Sequence, residues 1–303
     1  MMKDVIVIGS GPGGMTAALY AARASLSVAV IEQGIPGGQM NNTEIVENYP
    51  GFVSILGSEL GQKMFENIQA EKVESIYGIV TGIEDKGDVK VVQTTDNEYE
   101  AKAVIIATGC LHRTLNVPGE ESYSGRGVSY CAVCDGSFFR NKRVVVIGGG
   151  DSAVEEGIYL AGLASHVTIV HRRDQLRAIP VLQQRAFEND KISFVWNAQT
   201  ERIEGDDTKV TQVFYRDKES GEEKAIETDG VFIYVGLQPN SEPFINLGIT
   251  DEKGWIQTKD DMSTAVPGIY AIGDVRQKGL RQITTAVGDG AIAGQNVFKY
   301  LLQ

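Results

Sequence analysis

Two glycine loops, GSGPGG at residues 9–14 and GGGDSA at residues 148–153, each follow a short apolar run and each open a stretch of helical composition. Strand, glycine turn, helix, strand is the order that gives GxGxxG its mechanical meaning. The first glycine makes the turn, the second lets backbone approach a pyrophosphate, and the third lets helix and strand pack closely. In the first copy DVIVIG leads through Gly9, Gly11, Pro12 and Gly14 into MTAALYAARA and the strand SVAVIE, which ends at Glu32. In the second, KRVVVIG leads through Gly148 and Gly150 to Asp151, Ser152 and Ala153, with Ala as the tolerated third residue, and on to SHVTIVHRR.

A chain with both loops belongs to the α/β class and holds two Rossmann-like dinucleotide-binding units. The copies differ at one chemically decisive slot. Glu32 stands 23 positions after Gly9 and His171 stands 23 positions after Gly148, so the slot holds a carboxylate in the first copy and HRR in the second. A carboxylate accepts hydrogen bonds from a ribose and repels a 2′-phosphate, which favours FAD or NAD. His171, Arg172 and Arg173, followed by Arg177, welcome a 2′-phosphate through charge-assisted, partly bidentate hydrogen bonds, which favours NADPH. A tightly held flavin and an exchangeable nicotinamide are the expected pair, because hydride passes readily between them.

SYCAVCDG at residues 129–136 sets Cys131 and Cys134 three apart. Zinc needs about two further ligands. Besides the acids the chain offers only Cys110, His112, His166 and His171 for that purpose, and it has no second CxxC. The pair is read as redox-active, with idle buried thiols as the alternative and no metal expected. A formal charge of −12 argues against nucleic acid or an anionic membrane as partner. No apolar run approaches the roughly 18 residues of a membrane span and the amino terminus lacks the plan of a secretory signal, so a cytoplasmic protein is expected.

AVIIATG at residues 103–109 reads as a buried strand ending in a turn at Thr108 and Gly109, and Pro118-Gly119 beyond it breaks structure. After the second copy, DGVFIYVGLQPNSEPF repeats that plan. Residues 117–243 are therefore expected as an inserted NADPH-binding domain carrying the cysteine pair, with 1–116 and 244–303 as a discontinuous FAD-binding domain. In the tail, TAVPGIYAIGDV predicts a strand ending at Gly273 and Asp274, whose carboxylate either faces a sugar-like chain or caps a helix.

These stretches, with GGQM, VENYPG, VPGEE, YAIGDV and RQITTAVGDG, resemble the low-molecular-weight thioredoxin reductases of bacteria from about Asp4 to Leu302. The resemblance implies an FAD domain interrupted by an NADPH domain, a homodimer, and electron flow from NADPH through FAD to a Cys131–Cys134 disulfide and on to thioredoxin. It implies that Glu32, Gln33, Gly37, Gly38, Gln39 and Asn48 line FAD together with Asp274, Arg281, Gln282 and Ile283, with backbone near Val80 at the adenine. Ser152, His171, Arg172, Arg173 and Arg177 would hold NADPH. Cys131 would attack the substrate disulfide, Cys134 would face the flavin, and Asp135 would move the proton. Two departures stand out: Cys110 occupies a position where the family more often has Ala, and Gly157 interrupts the second loop helix. The flavin subunit of a peroxide-reducing system shares these stretches but usually carries a redox domain ahead of them, whereas this chain starts with the FAD strand. The intact HRR set counts against relatives that have lost NADPH, and a flavoprotein that only binds or senses has no use for an acid beside CxxC.

AVCDGSFF is expected to open a helix whose amide dipoles lower the thiolate pKa of Cys131. Because the cysteines and the NADPH loop share one domain, each must meet the flavin in turn, and the connections near Pro118-Gly119 and from Gly236 to Pro239 are the expected hinges. NADPH should be strongly preferred over NADH, each lost Arg contact costing about 1.5–3 kcal/mol of binding. Replacing Arg172, Arg173 and Arg177 together with neutral residues should raise the KM for NADPH and leave that for NADH nearly unchanged. Equal use of both cofactors by the unmodified protein would overturn the assignment.

Overall fold

Apolar runs as continuous as VIVI and AVII suit strands covered on both faces, which is the situation of a parallel sheet. The computed structural model describes residues 2–43 and 45–302. It divides into two units, residues 1–111 with 238–303, and residues 112–237. In the first unit the sheet order is Glu74–Tyr77, Val28–Glu32, Lys3–Ile8, Glu98–Ile106, Lys90–Thr94, Val80–Asp85, with Ile269–Ala271 also beside Glu98–Ile106. The first four of these strands and Ile269–Ala271 are parallel, and Ile8 stands level with Ile31 and Ile106, which stands level with Ala271. Their carboxyl ends form one edge, from which Glu32, Thr108, Gly109 and Asp274 follow directly. Val5, Val7, Val30 and Ile105 face a helical layer with Met15, Ala18 and Val297, while Ile6, Ile8, Ile31 and Ile106 face Phe244 and Ile256.

Small residues let the helices Pro12–Arg23 and Ile283–Leu301 cross closely. A Cβ at Gly290 would lie 2.4 Å from the Gly13 carbonyl oxygen, and one at Gly294 would lie 2.7 Å from that of Ala17. Backbone cannot yield as a side chain can, so both positions exclude a side chain.

The second unit has a five-stranded parallel sheet in the order Val128–Ser129, Gly230–Tyr234, Arg143–Gly148, His166–Val170, Ile192–Val195, and an antiparallel sheet of Ala198–Gly205, Val210–Asp217 and Glu223–Glu227. Ser129 is level with Phe232 and Gly148 with Tyr234. The cysteine turn and the second glycine loop therefore leave the same edge of one sheet. Gly157 does not interrupt its helix: Asp151–Ala161 runs through it, and a Cβ there would sit 3.1 Å from Ile169 Cδ1.

The chain passes between units inside the short strands Cys110–His112 and Leu237–Pro239, which form a ribbon of their own. Pro118-Gly119 is not at that crossing. The Pro118 carbonyl accepts the Ile203 N–H at 2.9 Å, and a Cβ on Gly119 would strike the Ile203 carbonyl oxygen. The pair was read as a breaker because its local chemistry says turn, but this turn is stapled to a strand of its own unit.

Gly290→Ala should lower the thermal midpoint by about 3 °C or more, the consequence of forcing a methyl group against backbone. Gly288→Ala in the same helix, where a Cβ would meet nothing within 4 Å, should raise stability by about 0.5–1 kcal/mol. An unchanged midpoint in Gly290→Ala would contradict the close crossing.

Candidate active site

Both glycine loops end in the same backbone gesture. The helix Pro12–Arg23 begins after Gly11 at φ −70° and ψ 179°, and Asp151–Ala161 begins after Gly150 at φ −91° and ψ −177°, neither with a side-chain cap. A Cβ on either glycine would meet nothing within 4 Å. Two helix N-termini thus present first-turn amides to open space, which is the donor set a pyrophosphate takes. At the third position a Cβ on Gly14 would come 2.0 Å from the Gly9 carbonyl oxygen, whereas the second loop accommodates Ala153, buried against its own strand.

Around the first loop, Glu32 is tied in place. Its Oε2 accepts the Ser10 N–H and O–H, each at 2.8 Å, and its Oε1 accepts the Gly34 N–H at 2.9 Å. The Gly37 N–H reaches the Ser10 carbonyl at 2.9 Å, so the turn holding Gly37, Gly38 and Gln39 is fastened to the loop. The Gly78 N–H donates to the Glu32 carbonyl at 3.0 Å, which brings the segment leading to Val80 alongside. Asn48 Nδ2 donates to Gln282 Oε1 at 3.2 Å. Gln33 is exposed.

Asp274 lies in the short turn Gly273–Val275 and caps no helix. The helix Ile283–Leu301 is capped instead by Gln282, in a reciprocal pair with Thr285. Asp274 Oδ1 is buried without a hydrogen-bond partner among the described residues, and burial raises its pKa against the pull of Lys278 and Arg281. A buried carboxylate oxygen with an open lone pair fits the hydroxyl of a sugar-like chain, so the residues suit FAD. Arg281 stacks 3.9 Å over the Trp255 ring and donates to the Asp274 carbonyl at 3.3 Å.

In the second unit, His171 is buried beneath the loop, where a Cβ on Gly149 would sit 2.4 Å from its ring. Burial first, then Arg177, Arg173 and Arg172, push its pKa down, with a backbone hydrogen bond at Gln175 opposing, and its Nε2 has no hydrogen-bond partner among the described residues. The imidazole is a wall under the loop whose charged form is disfavoured. The expected cluster resolves into a buried ring and three exposed arginines, none paired with a carboxylate among the described residues. The Arg177 N–H donates to the Gly149 carbonyl at 2.6 Å and Asp151 Oδ1 accepts the Ile179 N–H at 2.8 Å, which fold the arginine segment back onto the loop beside exposed Ser152.

Cys131 and Cys134 form a disulfide with 5.3 Å between Cα atoms. The expected helix is a single turn, Ala132–Asp135, followed by the 3₁₀ turn Gly136–Phe139, too short to sum a large dipole. Cys131 occupies the N-cap, and its Sγ accepts the Cys134 N–H at 3.2 Å. Ser129 Oγ accepts the Cys131 N–H at 3.1 Å and donates to Asp135 Oδ2 at 2.6 Å. The Ala132 N–H donates to Tyr234 Oη at 2.6 Å, and the Tyr130 hydroxyl donates to buried Glu120 at 2.8 Å. Burial raises the pKa of Asp135, with the Ser129 bond opposing. Sequence reading missed Ser129, Tyr234 and Glu120. A serine two residues before the first cysteine was a visible signal for the first; nothing in spacing pointed to the others.

Residues 3–290 match the family described as pyridine nucleotide-disulphide oxidoreductase. The thioredoxin reductase of Bacillus subtilis is 58% identical over 298 residues, covering 98% of this chain and 94% of that protein. The crystal structure of thioredoxin reductase from Streptococcus pyogenes, 61% identical, superposes with a TM-score of 0.95 over 99% of this chain and 98% of its own. The FR conformation of Lactococcus lactis thioredoxin reductase, 56% identical, matches with a TM-score of 0.69 over 99% of each chain.

Cys110 is buried, and burial together with the Asp274 carboxylate pushes its thiol up to about 12, with Arg281 opposing. At pH 8 the oxidised native protein should react with no thiol-alkylating reagent. After NADPH reduction two thiols should label, and after reduction in denaturant all three. Rapid labelling of a third thiol in the folded, reduced protein would show that Cys110 is reactive.

Proposed function

Because the chain belongs to the pyridine nucleotide-disulphide oxidoreductases, and within them to the thioredoxin reductases, we propose that Cys131 and Cys134 are the redox disulfide through which it reduces thioredoxin. The enzyme uses FAD and NADPH. FAD, when bound, would supply an acceptor for hydride from the nicotinamide and a source of electrons for a disulfide. Glu32 and Asp274, with the first glycine loop, hold FAD; the second loop, with Arg172, Arg173 and Arg177, holds NADPH.

The observation that carries the reading is the cysteine turn, in which an amide donor to one sulfur and a half-buried acid flank a single disulfide. Two electrons break the S–S bond and leave two sulfurs short of protons. Asp135 gives one proton, and the Cys134 N–H stabilises negative charge on Cys131 Sγ. Cys131 then attacks the thioredoxin disulfide, forming a mixed disulfide and releasing one thioredoxin thiolate. Cys134 resolves it, releasing the second and restoring the Cys131–Cys134 bond.

The second glycine loop and the cysteine turn leave one sheet edge, so the inserted unit alternates them at the flavin by turning about the ribbon Cys110–His112 and Leu237–Pro239. The family resemblance supports a homodimer. No helix among the described residues is long and apolar enough to cross a membrane, and a disulfide that must be reduced in every cycle suits the reducing cytoplasm.

Cys131→Ser should leave a thiolate at Cys134 beside oxidised flavin and give a long-wavelength charge-transfer band. Cys134→Ser should lack the band and trap thioredoxin as a stable mixed disulfide on a non-reducing gel. NADPH should still bleach the flavin in both. Reversed phenotypes would swap the roles, and full thioredoxin turnover in both variants would remove the pair from the mechanism.

A further inference from the structure

Ser129 ends the strand Val128–Ser129 and is 6% exposed. A serine hydroxyl has one hydrogen to give and two lone pairs to receive. Here it accepts the Cys131 N–H at 3.1 Å, and its hydrogen goes to Asp135 Oδ2 at 2.6 Å in preference to the Cys131 carbonyl at 3.4 Å. One side chain thus joins the backbone of the first cysteine to the carboxyl group beside the second. We infer that Ser129 is a positioning residue that decides which Asp135 oxygen carries the acid proton and readies that acid to ionise as the disulfide opens. The inference rests on Asp135 as the proton donor and deepens that assignment.

With Oδ2 receiving the Ser129 hydrogen, the acid proton is left to Oδ1. As two electrons enter the disulfide and one sulfur departs as thiolate, Oδ1 gives its proton to that sulfur and a carboxylate remains. The Ser129 bond then becomes charge-assisted, so it stabilises the product of proton transfer more than the reactant. The chain from the Cys131 N–H through the Ser129 O–H to Asp135 is polarised in one direction, which strengthens each link. Two other titratable groups face this corner. Tyr234, on the adjacent strand, spends its oxygen on the Ala132 N–H. Glu156, on the helix Asp151–Ala161, has a buried Oε2 without a partner among the described residues, and burial with neighbouring Glu155 pushes it up to about 7. Neither donates to Asp135; among the described residues Ser129 is its side-chain donor.

The test is stopped-flow reduction of the disulfide in the FAD-loaded enzyme across pH, where the alkaline limb reports loss of the Asp135 proton. Removing a donor to a carboxylate raises its pKa, so Ser129→Ala should move that limb upward by about one pH unit. Ser129→Thr, which keeps the hydroxyl, should hold the limb in place. Flavin content and the rate of flavin reduction by NADPH should be unchanged in both, which separates the effect from misfolding. Asp135→Asn should abolish the limb. If the limb survives in Asp135→Asn, the proton-donor assignment falls. If Asp135→Asn removes it but Ser129→Ala leaves it unmoved, the Ser129 inference falls. Should Ser129→Ala fail to fold, infrared spectra of the unmodified enzyme decide. The acid C=O stretch lost in Asp135→Asn must lie at the lowered frequency of a carbonyl that accepts a hydrogen bond, and a free-acid frequency would overturn the inference.

Discussion

In a parallel sheet every strand ends on the same side, so whatever chain follows those strands meets at one edge. Both units of this protein are built on that constraint. In the first, Ile8, Ile31, Ile106 and Ala271 stand in register, which sets a glycine loop, Glu32, Thr108 and Asp274 at a single rim although they are drawn from residues more than 260 apart. In the second, Ser129, Gly148 and Tyr234 end neighbouring strands, so a nucleotide loop and a disulfide share a rim. An antiparallel hairpin would send alternate strand ends to opposite sides and could not gather these groups. The apolar cores are what hold the register that the chemistry uses.

The two glycine loops, the switch from Glu32 to HRR and the CxxC pair were legible because each is a local pattern with a mechanical meaning. What escaped reading was set by register or by competition between equally plausible local partners. Tyr234 is over a hundred residues from Ala132, and only the pairing of Ser129 with Phe232 brings its hydroxyl to the Ala132 amide. Asp274 could have capped a helix until Gln282 and Thr285 were seen to do so. The short helix after Cys131 was overestimated for a similar reason: AVCD has helical composition, but the GSFF that follows tightens into a 3₁₀ turn.

Buried carboxylates in this fold divide by how many donors surround them. Asp289, 8% exposed, accepts the Gly273 N–H, Arg276 and Lys278 at 2.8 to 3.0 Å. It is saturated, and removing it would strand two cations in a poorly solvated place, a loss of about 3–5 kcal/mol in comparable buried pairs. Its effect is to anchor the turn Gly273–Val275 to the last helix. Asp274 on that same turn keeps one oxygen without a hydrogen-bond partner among the described residues. A saturated acid fixes the backbone, and an unsaturated neighbour on the fixed backbone is free to meet a ligand.

The same logic separates Cys110 from Cys131. Cys110 is a free, buried thiol with a carboxylate nearby, whereas Cys131 is disulfide-bonded and sits at an N-cap where an amide points at its sulfur. Negative charge on Cys110 is opposed by desolvation and by Asp274, whereas on Cys131 it is met by a donor already in place. The donor costs no reorganisation when charge arrives, because the one-turn helix that supplies it is held on both sides, by Ser129 at the Cys131 amide and by Tyr234 at the Ala132 amide. Reactivity at this turn is therefore a property of backbone placement, and the side chains that fix the backbone belong to the chemistry as much as the sulfurs do.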